Sequence, residues 1–230
     1  MSEEILINVT PMETRVALIE NGLLQELFIE RPSSRGHVGD IFVGKVVRVM
    51  PGMEAAFVDI GLDRAAFIHN SDITPVDADG YEVREESPRP IHQLLREGQL
   101  IVVQVAKDEI SGKGARLTTH LTLPSRNLVF LPRTRHIGIS QRLEDEQERE
   151  RLLSLLNHCL EQAGRQGQGG YIIRTAAEGT DAEGFLSDIR FLERLWAAVA
   201  DRIDGDGDIR NVYRDVPLYM RTMRDLISAR

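Results

Sequence analysis

The chain has 230 residues, 42% of them hydrophobic, which suffices for one large or two small domains with a real core and argues against wholesale disorder. Its net charge of −8 argues against a surface coated with positive charge for duplex DNA. No apolar run reaches the ~18 residues of a membrane span, the opening MSEEILINVT is acidic where a signal peptide is basic, and the single cysteine, Cys159, leaves no disulfide framework and no CxxC metal knuckle, so the expectation is a soluble intracellular protein.

In chain order, ILINV reads as a strand, and RVALI and LLQELFIE read as a hairpin around Glu20-Asn21-Gly22, because Asn-Gly tolerates the positive φ of a tight turn. The polar RPSSRGHVGD marks a boundary. Short strands follow in quick succession: IFVGKVVRVM, a Pro51-Gly52 turn, EAAFVDIG, a turn at Gly61–Asp63, and RAAFIH. A polar excursion and a short helical piece, IHQLLREG, lead to LIVVQVAKDEI and ARLTTHLTL around a Ser111–Gly114 turn. Five short strands with a helical interruption fit a small closed barrel of the OB type.

After Pro124 the pattern changes. NLVFLP reads as a strand. RLEDEQERERLLSLLNHCLEQAG reads as an amphipathic helix with Leu152, Leu153, Leu156, Cys159 and Leu160 as its apolar stripe, which makes Cys159 a small core residue. YIIRTAAEG is a strand entering a turn. Thr180 with Glu183 reads as a capping box for a helix carrying Phe185, Ile189, Leu192, Leu195 and Trp196. DGDGD at 204–208 lacks the ligand spacing of a calcium loop and reads as a linker. The final VPLYMRTMRDLISAR is amphipathic and helical, has no cap, and looks like the edge of an element that should continue.

Phe57 and Phe67 each follow a pair of alanines, with His69 close to the second. Two readings stand. Both rings could belong to the core, or both could lie on an open barrel face where aromatic rings stack on unpaired bases. The tract from Lys113 to His136 carries Lys113, Arg116, Arg126, Arg133 and Arg135 without an Asp or Glu. It is either an anion-binding face or a solvated surface. Gly112-Lys113-Gly114 lacks the spacing of a P-loop, the six histidines show no metal-ligand spacing, and the carboxylates of EDEQERE sit on a solvated helix face.

The stretch GDIFVGKVVRVMPGMEAAFVDIGLDRAAFIHNSDI resembles the S1 RNA-binding domain. ILINVTPMETRVALIENG, PGMEAAFVDIG, KGARLTT and GYIIRTAAEG, in that order, resemble the bacterial ribonuclease E/G family, nearest its ribonuclease G branch, over essentially the whole chain. The resemblance implies an α+β fold: an S1-type OB-fold β-barrel (37–124) inserted in a partial RNase H-like subdomain (1–36, resuming at 213–230), followed by an α/β 5′-sensor subdomain (125–212). It implies RNA contacts from Phe57, Phe67, Lys107 and Lys113. It implies a pocket for a 5′-monophosphate built by Arg174 and Thr175, by backbone at Ser125 and Val129, and by Arg142. That chemistry is sound, because a guanidinium grips two oxygens of a near-dianionic monoester while a hydroxyl and backbone N–H groups take the rest. Read without the family, Arg174-Thr175 would be a surface salt bridge and a helix-approach residue. The implied partner is single-stranded, 5′-monophosphorylated RNA, in rRNA maturation and RNA decay in the bacterial cytoplasm. The family's Mg2+-binding aspartates and its oligomer-linking Zn2+ cysteines are not in this sequence, so this segment is expected to bind neither ion and not to cleave alone.

Overall fold

β1 (Glu3–Val9), β2 (Thr14–Glu20) and β3 (Leu23–Glu30) form an antiparallel meander. Its second turn is made by Asn21 and Gly22, both in left-handed backbone at φ 50° and 79°, as the Asn-Gly pair requires. The computed structural model describes residues 3–83, 89–110, 114–205 and 207–226. By its internal contacts the chain divides into two units, one of residues 1–37 with 215–230, the other of 38–214.

The second unit opens with β4 (Ile41–Met50), β5 (Ala55–Asp59) and β6 (Ala66–His69), an antiparallel run. A one-turn helix, α1 (Ile91–Leu94), contacts β4, and its Ile91 is fully buried. β7 (Leu100–Lys107) and β8 (Arg116–Thr118) complete a barrel: β8 lies parallel to β6 and antiparallel to β7, and β7 pairs back onto β4. Closure through β4–β7 leaves the five strands of an OB-type barrel without a free edge among them. Gly44 makes the tight passage of β4 possible. A Cβ there would lie 2.7 Å from Val58 Cγ1 and 2.9 Å from Ile60 Cγ2.

A second sheet comes from β9 (Leu123–Pro124), β10 (Leu128–Leu131), β11 (Ile137–Ile139) and β12 (Gly170–Ile173), in the order β11-β12-β10-β9. Two helices accompany it, α2 (Glu146–Gln162) and α3 (Ala182–Ile203). The apolar stripe of α2 is buried at Leu152, Leu156, Cys159 and Leu160, and that of α3 at Phe185, Ile189 and Leu192. The start of α3 differs from the capping-box reading. Asp181, not Thr180, is the N-cap, and its carboxylate accepts the Gly184 N–H at 2.9 Å. Thr180 instead closes the preceding turn, donating its own N–H to the Ala177 carbonyl. The carboxylate makes Asp181 the better acceptor at the positive end of the helix.

β13 (Arg210–Tyr213) pairs antiparallel with the N-terminal half of β4. β4 thereby serves two cores. Phe42 and Val46 join Val58, Ile68, Val103 and Leu117 inside the barrel. Ile41 and Val43, on its other face, join Leu128, Tyr171, Leu156, Phe185 and Val212. The period of two along a strand sends alternate residues to opposite faces, so one element ties the barrel to the helical layer.

In the first unit α4 (Leu218–Leu226) packs on β2 and β3. Its Leu218 N–H donates to Glu30 at 3.1 Å. No helix among the described residues is long and apolar enough to cross a membrane.

Candidate nucleic-acid interface

The alternation that fills the barrel also decides where the two phenylalanines point. Ala56 and Val58 of β5, and Ala66 and Ile68 of β6, face inward and are fully buried. Phe57 and Phe67 lie between them in sequence and so face outward. They are half-buried, belong to neither core, and sit directly opposite each other across β5 and β6. Their centroids are 6.1 Å apart with the rings at 66°, an edge-to-face pair. The immediately preceding alanines, Ala56 and Ala66, line the barrel interior rather than the ring faces. Ala55 does share the rings' face, one pair along, opposite His69.

His69 accepts the Ser71 N–H at Nδ1 (3.2 Å), which leaves the proton of the neutral ring on Nε2. On the same outer face, strand register sets Arg116 beside Phe67 and Lys107 beside Arg116. Lys107 is exposed. Arg116 is held by Asp72, with Nε to Oδ2 at 2.8 Å and Nη2 to Oδ1 at 3.1 Å. Lys113 lies outside the described residues.

The rest of the basic tract does not form one face. Arg135 sits over the Tyr81 ring at 4.0 Å. Burial lowers the pKa of Arg133, with the Glu82 carboxylate opposing the shift. His120 is bonded to Glu82 through Nδ1 (2.9 Å) and to Thr74 through Nε2 (2.6 Å), and the Glu82 hydrogen bond raises its pKa. Here the tract's cations are answered by acids and a ring from the polar excursion, a pairing between segments far apart in sequence.

The second cluster lies where β9, β10 and β12 end. Arg174 follows β12 and precedes a short 3-10 turn at Thr175–Ala177. Its N–H donates to the Asn127 carbonyl (2.8 Å), and its Nη1 donates to the carbonyls of Ser125 (2.6 Å) and Arg126 (3.2 Å). Ser125 is buried, and its hydroxyl donates to the Leu128 carbonyl at 3.0 Å, so its side chain braces a turn. Val129 pairs with Pro124 on one side and Ile172 on the other. Thr175 is exposed and shares a hydrogen bond with the Ser140 hydroxyl at 3.4 Å. The same hydroxyl accepts the Arg142 N–H at 3.3 Å. Arg174 thus reaches Ser125 directly, Val129 enters only through strand pairing, and two residues that the sequence reading missed hold the surrounding loops. Ser140 is one. Asp188 of α3 is the other: its carboxylate accepts the Asn127 N–H at 2.6 Å, and burial raises its pKa against the pull of that bond and of Arg126. Neither leaves a local signal, since one is a loop serine and the other an acid on an amphipathic helix.

Among the described residues no three His, Cys, Asp or Glu side chains converge as metal ligands. Cys159 is buried in the helical core, and burial raises its thiol pKa.

Comparison with known proteins gives two family matches: the S1 RNA binding domain over residues 37–117 and the Ribonuclease E/G family over residues 122–230. Ribonuclease G of Salmonella typhimurium (strain SL1344) is 50% identical over 232 aligned residues, covering 100% of this chain and 46% of the relative. Ribonuclease G of Haemophilus influenzae is 48% identical, covering 98% and 45%. Ribonuclease E of Escherichia coli (strain K12) is 33% identical, covering 98% and 21%. The chain therefore spans less than half the length of these relatives. The chain is thus similar along its full length to ribonucleases of the E/G family, and it matches the S1 and Ribonuclease E/G family models in order.

Proposed function

We propose that this chain is the RNA-binding and 5′-monophosphate-sensing portion of a ribonuclease G-like endoribonuclease specific for single strands, acting in rRNA processing and RNA decay in the bacterial cytoplasm. The observation that carries the reading is the outward Phe57–Phe67 pair on a closed barrel matched by the S1 profile. Exposed aromatic rings on such a face stack on bases of any identity and require them to be unpaired. The cluster around Arg174 supports the sensing role, because a guanidinium, the Thr175 hydroxyl and backbone groups are gathered at one strand end. The family's hydrolysis uses Mg2+, for which the described residues offer no ligand cluster, so no cleavage step is assigned to them.

The discriminating experiment compares the affinities of 5′-phosphate and 5′-hydroxyl oligoribonucleotides for the wild type and for Arg174→Ala. A wild-type preference for the phosphate that Arg174→Ala abolishes supports sensing. Equal affinities in both proteins would leave a non-enzymatic, S1-type single-stranded RNA-binding module, the second reading that the barrel alone favours.

A further inference from the structure

The ring pair has a neighbour on its β4 side as well as on its β8 side. Across β4 and β5 the register runs Val46 to Val58, then Arg48 to Phe57, then Val49 to Ala56. The irregularity between Val46 and Arg48 inserts one extra residue into β4. Without it Val47 would lie beside Phe57. With it Arg48 takes that place, on the outer face, while Val49 still packs against the barrel core. Bulges of this kind re-aim a side chain without giving up the interior pattern.

Arg48 and Arg116 thus bracket the two rings, one in register with Phe57 and the other with Phe67. They are not equivalent. Arg116 is clamped on both Asp72 oxygens. Arg48 is exposed, and among the described residues no hydrogen bond or ion pair holds it. Glu97 approaches the same strand, but its carboxylate accepts the Val49 N–H at 3.2 Å.

We propose that Arg48 is a backbone-phosphate contact for the RNA strand whose bases stack on Phe57 and Phe67, so that the strand leaves the ring pair over β4. The inference rests on the S1-face reading and adds to it a residue and a direction. Arg48 lies one strand spacing from Phe57, about 5 Å in an antiparallel pair, so its long side chain flanks a base seated on that ring. A planar guanidinium that no described residue holds is suited to two phosphate oxygens at once. Arg116 has its donors turned to Asp72 and contributes chiefly to the shape of the face.

The test measures the salt dependence of binding to a labelled single-stranded oligoribonucleotide for wild type, Arg48→Gln, Arg48→Lys and Phe57→Ala. One phosphate contact contributes about 0.7 to the slope of log K against log salt on a single strand. Arg48→Gln should lower the slope by about that amount. The gap between it and the wild type should then narrow about fivefold over a tenfold rise in salt. Arg48→Lys should restore the slope, because it keeps the charge. An Arg48→Gln slope equal to the wild type's, with Phe57→Ala weakened, overturns the inference and leaves the S1 reading standing. Wild-type binding in all the variants overturns both. Arg48 is exposed and outside both cores, so matched melting curves should accompany every outcome.

Discussion

Replacing Phe57 by alanine separates stacking from packing. A base on an aromatic ring is worth about 1–3 kcal/mol by truncation, which at 1.4 kcal/mol per tenfold is roughly a 5- to 150-fold loss of affinity. The structural cost should be small, because Phe57 is half-buried and outside both cores. About 1–2 kcal/mol is expected, against about 3–5 for a fully buried ring such as Phe185. The edge-to-face contact with Phe67, at 6.1 Å, adds about 0.5–1.5 kcal/mol of mutual support. Phe57→Ala and Phe67→Ala should therefore be non-additive by that amount in a double-mutant cycle. Fluorescence anisotropy with a labelled oligoribonucleotide reads the affinity, and urea unfolding of the same samples reads the stability. A Phe57→Ala protein that loses 3 kcal/mol or more of stability, on the order of a core truncation, while binding RNA within twofold of wild type would refute the argument: the ring would then be structural.

Two further expectations concern the scaffold. Glu148 is held at a pKa of about 2, first by its hydrogen bonds from Arg151, then by the Gly179 N–H. A depressed carboxylate stabilises the fold above its unfolded pKa and loses that contribution as pH falls through the folded value. The urea midpoint of Glu148→Gln should thus lie below the wild type's at neutral pH, and the two should converge between about pH 4.5 and 2. Gly44→Ala places a methyl 2.7 Å from Val58 Cγ1 and 3.0 Å from the Asp59 carbonyl, so overpacking of the barrel should cost about 1–3 kcal/mol in a chemical melt, with stability unchanged at the open Gly52→Ala.

Much of the architecture was legible in local pattern. The Asn21-Gly22 hairpin, the barrel strands and the stripes of α2 and α3 all follow from turn chemistry and from the periods of strand and helix. β11 and β13 were not legible: three or four residues each, they are strands only because β12 and β4 offer edges to pair with. The Asp181 cap was missed because two adjacent residues could each begin the helix, and the turn hydrogen bond of Thr180 settles which one does.

For the candidate sites the division is sharper. The sequence by itself singled out two rings and a few cations as candidates, and it pointed to the Arg174-Thr175 pair only through the family resemblance. It also determined that the rings alternate with small residues, and hence that they share a face if both segments are strands. Only the tertiary structure decided which face that is, because burial of Ala56, Val58, Ala66 and Ile68 depends on barrel closure through β4–β7. It alone decided that Arg116 is clamped by Asp72, that a bulge sets Arg48 beside Phe57, and that Ser140 and Asp188 brace the Arg174 cluster. Apart from Arg48 and Phe57, these are contacts between residues tens of positions apart. Strand register and side-chain hydrogen bonds make them, and neither leaves a trace in local composition.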